Sequence, residues 1–325
     1  MRTHGTKVRG IATLVVALGL IGGMATQVAG QSAGTVKIAV NPWVGYESDY
    51  AVVAYLLEHE LGYTVVAQNL DENISWQGFQ TGEVDAILEI WGHDADRALY
   101  IDDQGVAQDA GLMGVNGVIG WYVPGWMVEQ YPDITDWQNL NKYADLFKTS
   151  ESGDLGQFLL GDPSYVSNDA AIIKNLGLNY TVVAGGSEAA LLESFNTATT
   201  QRTPLLAYFY DPQWAWSVSP LLEQPLVRVN LPAYTAGCDA VPEDIACDYP
   251  AYPLWKAVST AFATTGGPAY DLVRNFNWTN LDQSTVSAYI SNDGMSQADA
   301  AKKWVEANEA TWRAWLASPV SSPAP

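Results

Sequence analysis

The chain has 325 residues, with 36 acidic against 15 basic side chains and a formal charge of −21. A surface that acidic repels nucleic acid and anionic lipid, which argues against both as partners. The length admits one large domain or two of ordinary size.

The first thirty residues read as a secretory signal peptide. Arg2, Lys7 and Arg9 make a positive start, and an apolar run follows from Ile11 to Met24. Small residues at Val28-Ala29-Gly30 offer a cleavage point. The run is short against the roughly 20 residues of a membrane span; an uncleaved anchor is the alternative. Export is expected, to the periplasm or the outer face of the cytoplasmic membrane. Removing three basic residues leaves 12 against 36 acidic. Such a surface concentrates cations, although salt screens the attraction within about 8 Å, and plain solubility explains the charge equally well.

Strand and helix signals then alternate. Residues 36–40, 64–68 and 84–91 read as strands, with helices at 48–60 and 73–81 between them. A strand at 117–124 crosses onward. A second round has strands at 157–162, 181–184 and 204–210 and helices at 168–176 and 187–198. The βαβαβ order implies parallel sheets flanked by helices. Thr64-Val65-Val66-Ala67 recurs as Thr181-Val182-Val183-Ala184, each after a helix ending in Leu-Gly. The fold expected is α/β with two lobes, each a mostly parallel sheet flanked by helices. Lobe 1 is assigned to 34–121 plus 225–317, lobe 2 to 122–224, and a disordered tail to 318–325. Residues 226–232 make the return crossing. Helices are expected at about 252–264, 268–275, 280–290 and 297–316. Trp304, Trp312 and Trp315 form a stripe on the last, spaced as packing.

Cys238 and Cys247 are the chain's two cysteines, nine apart. In an oxidising compartment a disulfide is the default. No histidine lies near them in the sequence, which argues against a metal site.

Ligands of open parallel sheets sit beyond the carboxyl ends of the strands. The first strand runs into Asn41-Pro42-Trp43, and the third ends at Glu89-Ile90-Trp91. In the second round the equivalent places carry Tyr165 and the segment from Tyr208 to Trp214. Tyr210 and Trp214 share one slot there, and spacing does not separate them. Closing two lobes face to face sets these rings around one point. Ring faces attract a quaternary ammonium, which has no N–H to donate, by about 0.5–2 kcal/mol each. A carboxylate on such a ligand has two candidate partners: backbone amides at the helix start near Gly45, and Gln213. Trp121 and Tyr122 are weaker candidates, and Trp76 and Trp126 read as packing.

At these motifs the sequence resembles the glycine betaine/choline substrate-binding proteins of ABC importers, over nearly all of the chain beyond residue 30. The resemblance rests on N-P-W-x-G (41–45), G-E-V-D-A-I-L-E-I-W (82–91), Y-V-P (122–124), Y-P-D-I-x-D-W-x-N-L (131–140) and Y-D-P-Q-W (210–214). It implies a two-lobe periplasmic-binding fold of the second type, an aromatic box between the lobes, and a membrane permease as partner. Trp43 and Trp91 match box tryptophans. Tyr210 stands where the family often has Trp, and Gln213 where betaine binders often have His. Choline-selective members tend to carry Asp where this chain has Gly45, which leans towards glycine betaine, ahead of choline or proline betaine; Glu47 lies nearby.

Other classes fit less well. His59 and His93 are the only histidines beyond residue 30, and no nucleophile elbow, phosphate loop or zinc signature is present. An enzyme, for instance a glycan-active one, is therefore not expected, nor is a cofactor. A sugar-binding protein would want denser hydrogen-bonding side chains at the strand ends. An amino-acid binder usually presents an Arg there, and none of Arg97, Arg202, Arg228, Arg274 and Arg313 occupies such a place. The protein is expected to work as a monomer.

Overall fold

A computed structural model describes residues 32–217 and 225–317. The expected signal peptide (1–30) and tail (318–325) lie outside the described residues.

Among the described residues nine strands make one sheet: β1 (Thr35–Val40), β2 (Thr64–Asn69), β3 (Ala86–Ile90), β4 (Ala107–Pro124), β5 (Gly156–Leu160), β6 (Tyr180–Ala184), β7 (Ala207–Asp211), β8 (Leu226–Arg228) and β9 (Ala251–Ser259). Their order is β2-β1-β3-β9-β4-β7-β5-β6, with β8 on β4. β2-β1-β3 and β6-β5-β7 are parallel triplets of the same design. The repeated Thr-Val-Val-Ala word forms the outer strand of each. β3, β9, β4 and β7 are joined antiparallel, so the middle of the sheet is mixed.

The hydrogen-bond ladder does not break between the two halves, as separate sheets would require. β4 pairs with β9 from Ala107 to Val118 and with β7 from Val118 to Tyr122. At about 3.3 Å per residue, its 18 residues are long enough to serve both. The expected crossing strand at 117–124 is the far end of this longer one.

The helix expected at 252–264 is mostly strand: β9 fills 251–259, and a helix covers only Thr260–Thr265. Pro253 sits in β9 opposite Asn116, and pairing with β3 on one side and β4 on the other takes the segment into the sheet. The helix expected at 297–316 is broken into Gln297–Ala307 and Glu309–Ala317. The tryptophan stripe packs as expected: Trp304 and Trp315 stack at 5.8 Å and meet Trp278 and Phe276.

Helices Val44–His59 and Glu72–Thr81 follow β1 and β2. Asp169–Asn175 and Glu188–Thr200 follow β5 and β6. Asp71 and Ser187 cap the second helix of each half with a side-chain oxygen. Cys238 and Cys247 are disulfide-bonded, with Cα atoms 6.3 Å apart. Closing so short a loop stabilises by about 2–3 kcal/mol on the chain-entropy estimate.

Candidate functional site

Each triplet delivers rings from the carboxyl ends of its first and third strands. β1 leads to Trp43 and β3 to Trp91; β5 leads to Tyr165, and β7 carries Tyr208 and Tyr210. These five rings, with Glu72, Ile119 and Val166, line one small cavity. Trp43 meets Tyr165 edge-on at 5.7 Å, Trp91 meets Tyr210 at 5.7 Å, and Tyr165 meets Tyr210 at 6.3 Å. The rings of the two halves therefore interlock.

Hydrogen bonds fix the rings from behind. The indole N–H groups of Trp43 and Trp91 both donate to Glu89 Oε1, at 2.9 and 2.5 Å. Glu89 Oε2 accepts from Gln283 Nε2 at 2.7 Å, and that amide also lies 3.2 Å from both oxygens of Asp49. Burial, reinforced by Glu89, pushes the Asp49 carboxyl well above the usual carboxylate range. The Tyr165 hydroxyl donates to the Pro42 carbonyl at 3.1 Å, across from its own half. Gly117 lets the Trp91 ring lie flat on β4, since a Cβ there would come within 2.3 Å of it.

Glu188 gathers three donors. Its Oε2 accepts the Val44 backbone N–H at 2.8 Å, and its Oε1 accepts the Tyr210 hydroxyl at 2.5 Å and Gln213 Nε2 at 2.6 Å. Burial raises its carboxyl, and these three bonds hold it back. Glu72 lines the cavity itself. Burial raises it too, while His93 and the Val166 backbone N–H oppose the rise. His93 lies behind Glu72, with Nε2 3.4 Å from it and Nδ1 2.7 Å from Asp96. Burial pulls this imidazole down, but the Asp96 and Glu72 carboxyls beside it outweigh that and raise it to about 9.

Of the residues singled out in the sequence, Trp43, Trp91, Tyr165 and Tyr210 come together on the cavity. The other three stand elsewhere. Trp214 packs with Val44, Ala215 and Ala288 in a separate small cluster, so Tyr210 holds the slot they shared. Gly45 is buried in the first helical turn, where a Cβ would lie 3.3 Å from Trp43. Gln213 is engaged by Glu188. Trp121 donates to Asp169 at 2.6 Å and packs on Phe158, away from the cavity.

Sequence reasoning missed Tyr208, Glu72, Glu89 and Glu188. Tyr208 had a signal: it is two residues from Tyr210, on the same face of β7. Glu89 had one as well, as a carboxyl in an otherwise apolar strand two residues before Trp91. Glu72 and Glu188 gave none alone, because an acidic residue after a helix cap is commonplace.

Residues 34–307 match the model of a protein family described as the substrate-binding domain of ABC-type glycine betaine transport systems. The trimethylamine N-oxide-binding protein of Pelagibacter ubique (strain HTCC1062) is 26% identical over 266 residues, covering 78% of this chain and 81% of that protein. A choline-binding protein of an ABC transporter, solved with choline, superposes with a TM-score of 0.70 at 18% identity, over 89% of this chain and 93% of that one. Lactococcal OpuAC, solved closed with glycine betaine, gives 0.66 at 18% identity, over 87% of this chain and 99% of that one. At such identity these two structures speak for the fold.

Proposed function

Because this chain belongs to the family of substrate-binding domains of ABC-type glycine betaine transport systems, we propose that it captures its ligand in the aromatic cavity between β1, β3, β5 and β7. As the substrate-binding component of an ABC transporter for glycine betaine- or choline-like ligands, it works outside the cytoplasm with a membrane permease. Among the described residues no helix is long and apolar enough to cross a membrane. The signal peptide at 1–30, the lobe boundaries given above and a monomeric state complete the proposal.

One observation carries it. Five rings surround the cavity, and both indole N–H groups point away from it to Glu89. What remains facing inward is largely ring face and ring edge. A permethylated ammonium suits such a site, because it gives up little hydrogen bonding on entering and is attracted by the ring quadrupoles. Asp49, Glu72, Glu89 and Glu188 stand around the rings, with His93 beside Glu72 and Lys256 near Asp49. The relative named as a trimethylamine N-oxide-binding protein supports a methylated amine as the ligand.

Calorimetry with glycine betaine, choline, trimethylamine N-oxide, carnitine, sugars and amino acids tests the proposal. A methylated amine should bind, and Trp43→Ala and Trp91→Ala should each lose at least about tenfold, the order of one cation–π contact in a desolvated site. Trp214→Phe should bind as the native protein does. Binding of a sugar and of no methylated amine would sink the proposal.

A further inference from the structure

Two glutamates stand in equivalent places of the two halves, Glu72 on the cavity and Glu188 behind Tyr210. Glu72 and Glu188 each open the helix that follows the Thr-Val-Val-Ala strand of their half. Glu188 accepts the backbone N–H of Val44 at 2.8 Å, and Glu72 borders the cavity beside Val166, whose backbone N–H opposes the rise of its carboxyl. Val44 and Val166 each come directly after a cavity ring, Trp43 and Tyr165. Glu188 thus lends its carboxyl to the amide behind the other half's ring, and Glu72 holds the matching place beside Val166.

That arrangement occupies the groups a carboxylated ligand would use. Free amides at a helix start are a ready partner for a carboxylate, but Glu188 already holds the Val44 amide. It also holds Gln213 and the Tyr210 hydroxyl. The indoles are committed to Glu89 and the Tyr165 hydroxyl to Pro42. The cavity lining includes Glu72 and no cationic side chain. His93 is screened from the cavity by Glu72. Even with the Tyr208 hydroxyl, a ligand carboxylate meets no positive group.

Resting on the function proposed above, we infer that Glu72 on the cavity, with Glu188 occupying the donors behind the rings, selects against a carboxylate on the ligand. The preferred ligand is a methylated ammonium whose remaining substituent is a hydrogen-bond donor and not an anion, as in choline, with that donor set against Glu72. Like charges brought together away from water repel strongly. A hydroxyl in the same place donates a charge-assisted hydrogen bond.

Calorimetry on the intact protein with choline and glycine betaine tests this. Choline should bind at least about tenfold tighter, a difference that a repulsive group in the pocket readily supplies. Glu72→Gln keeps the size and removes the charge. It should weaken choline without weakening glycine betaine, cutting the ratio by about tenfold. A thermal melt checks its fold; if that variant does not fold, Glu188→Gln serves in its place, with glycine betaine expected to gain. Equal or tighter binding of glycine betaine by the native protein overturns the inference and leaves the aromatic site standing. An equal loss for both ligands in Glu72→Gln overturns the role given to Glu72. Binding of neither overturns the function on which it rests.

Discussion

Trp43 and Trp91 donate their indole N–H groups to the same carboxylate oxygen, Glu89 Oε1. The two tryptophans come from the ends of different strands, yet one buried side chain sets the angle of both. The cavity wall on this side is therefore a single unit of Glu89 with two rings, backed by Gln283.

Removing Glu89 should therefore disturb both rings together. Glu89→Ala leaves two buried indole N–H groups without an acceptor, each costing about 1–3 kcal/mol. The expected outcome is a loss of stability of about 2–5 kcal/mol and a fall in ligand affinity beyond that of either tryptophan variant. Glu89→Gln keeps one oxygen for the indoles but sets an amide against Gln283, and should lie between the native protein and Glu89→Ala. Urea unfolding and calorimetry measure both. Native affinity in Glu89→Ala would show that the rings hold their angles unaided.

Gly117 tests the same wall from the other side. A Cβ at this position would come within 2.3 Å of the Trp91 ring, so Gly117→Ala must push the indole off β4. The backbone there is extended and tolerates alanine, so the disturbance should stay local. Overpacking of this kind costs about 1–3 kcal/mol, and with Trp91 displaced the ligand affinity should drop by about tenfold or more. Trp fluorescence and a binding isotherm follow the two effects. Unchanged affinity would place Trp91 outside the ligand's reach.

Much of this arrangement was legible in the sequence, for a physical reason. The repeated Thr-Val-Val-Ala word and the alternation of strand and helix signals are local, and they specified two parallel triplets. Strand ends then placed Trp43, Trp91, Tyr165 and Tyr210. What stayed hidden depends on contacts between distant segments. Glu188 meets Val44 across 144 residues, and Gln283 meets Glu89 across 194. No spacing rule reaches that far. β9, expected as helix, takes its form from pairing with the distant β3 and β4.

The His93 pair gives the protein a pH signature. Its imidazole titrates at about 9 in the folded chain, against an ordinary 6.5. A base whose folded value is raised contributes stability that is complete below pH 6.5 and fades as pH rises through 9. Glu72 and Asp96 are the groups that face it. Lys256 acts in the opposite sense: burial lowers it to about 7 from 10.5, so its burden lifts as pH rises from 7 towards 10.5. The two slopes oppose each other near pH 8, and the native curve alone does not reveal either. The difference between native protein and His93→Gln does. That gap should be about 2–3 kcal/mol at pH 6 and should shrink towards pH 9.5 as the native imidazole loses its proton. Denaturant unfolding at half-unit pH steps measures it. A gap that stays constant across the range would mean that His93 contributes packing and no charge.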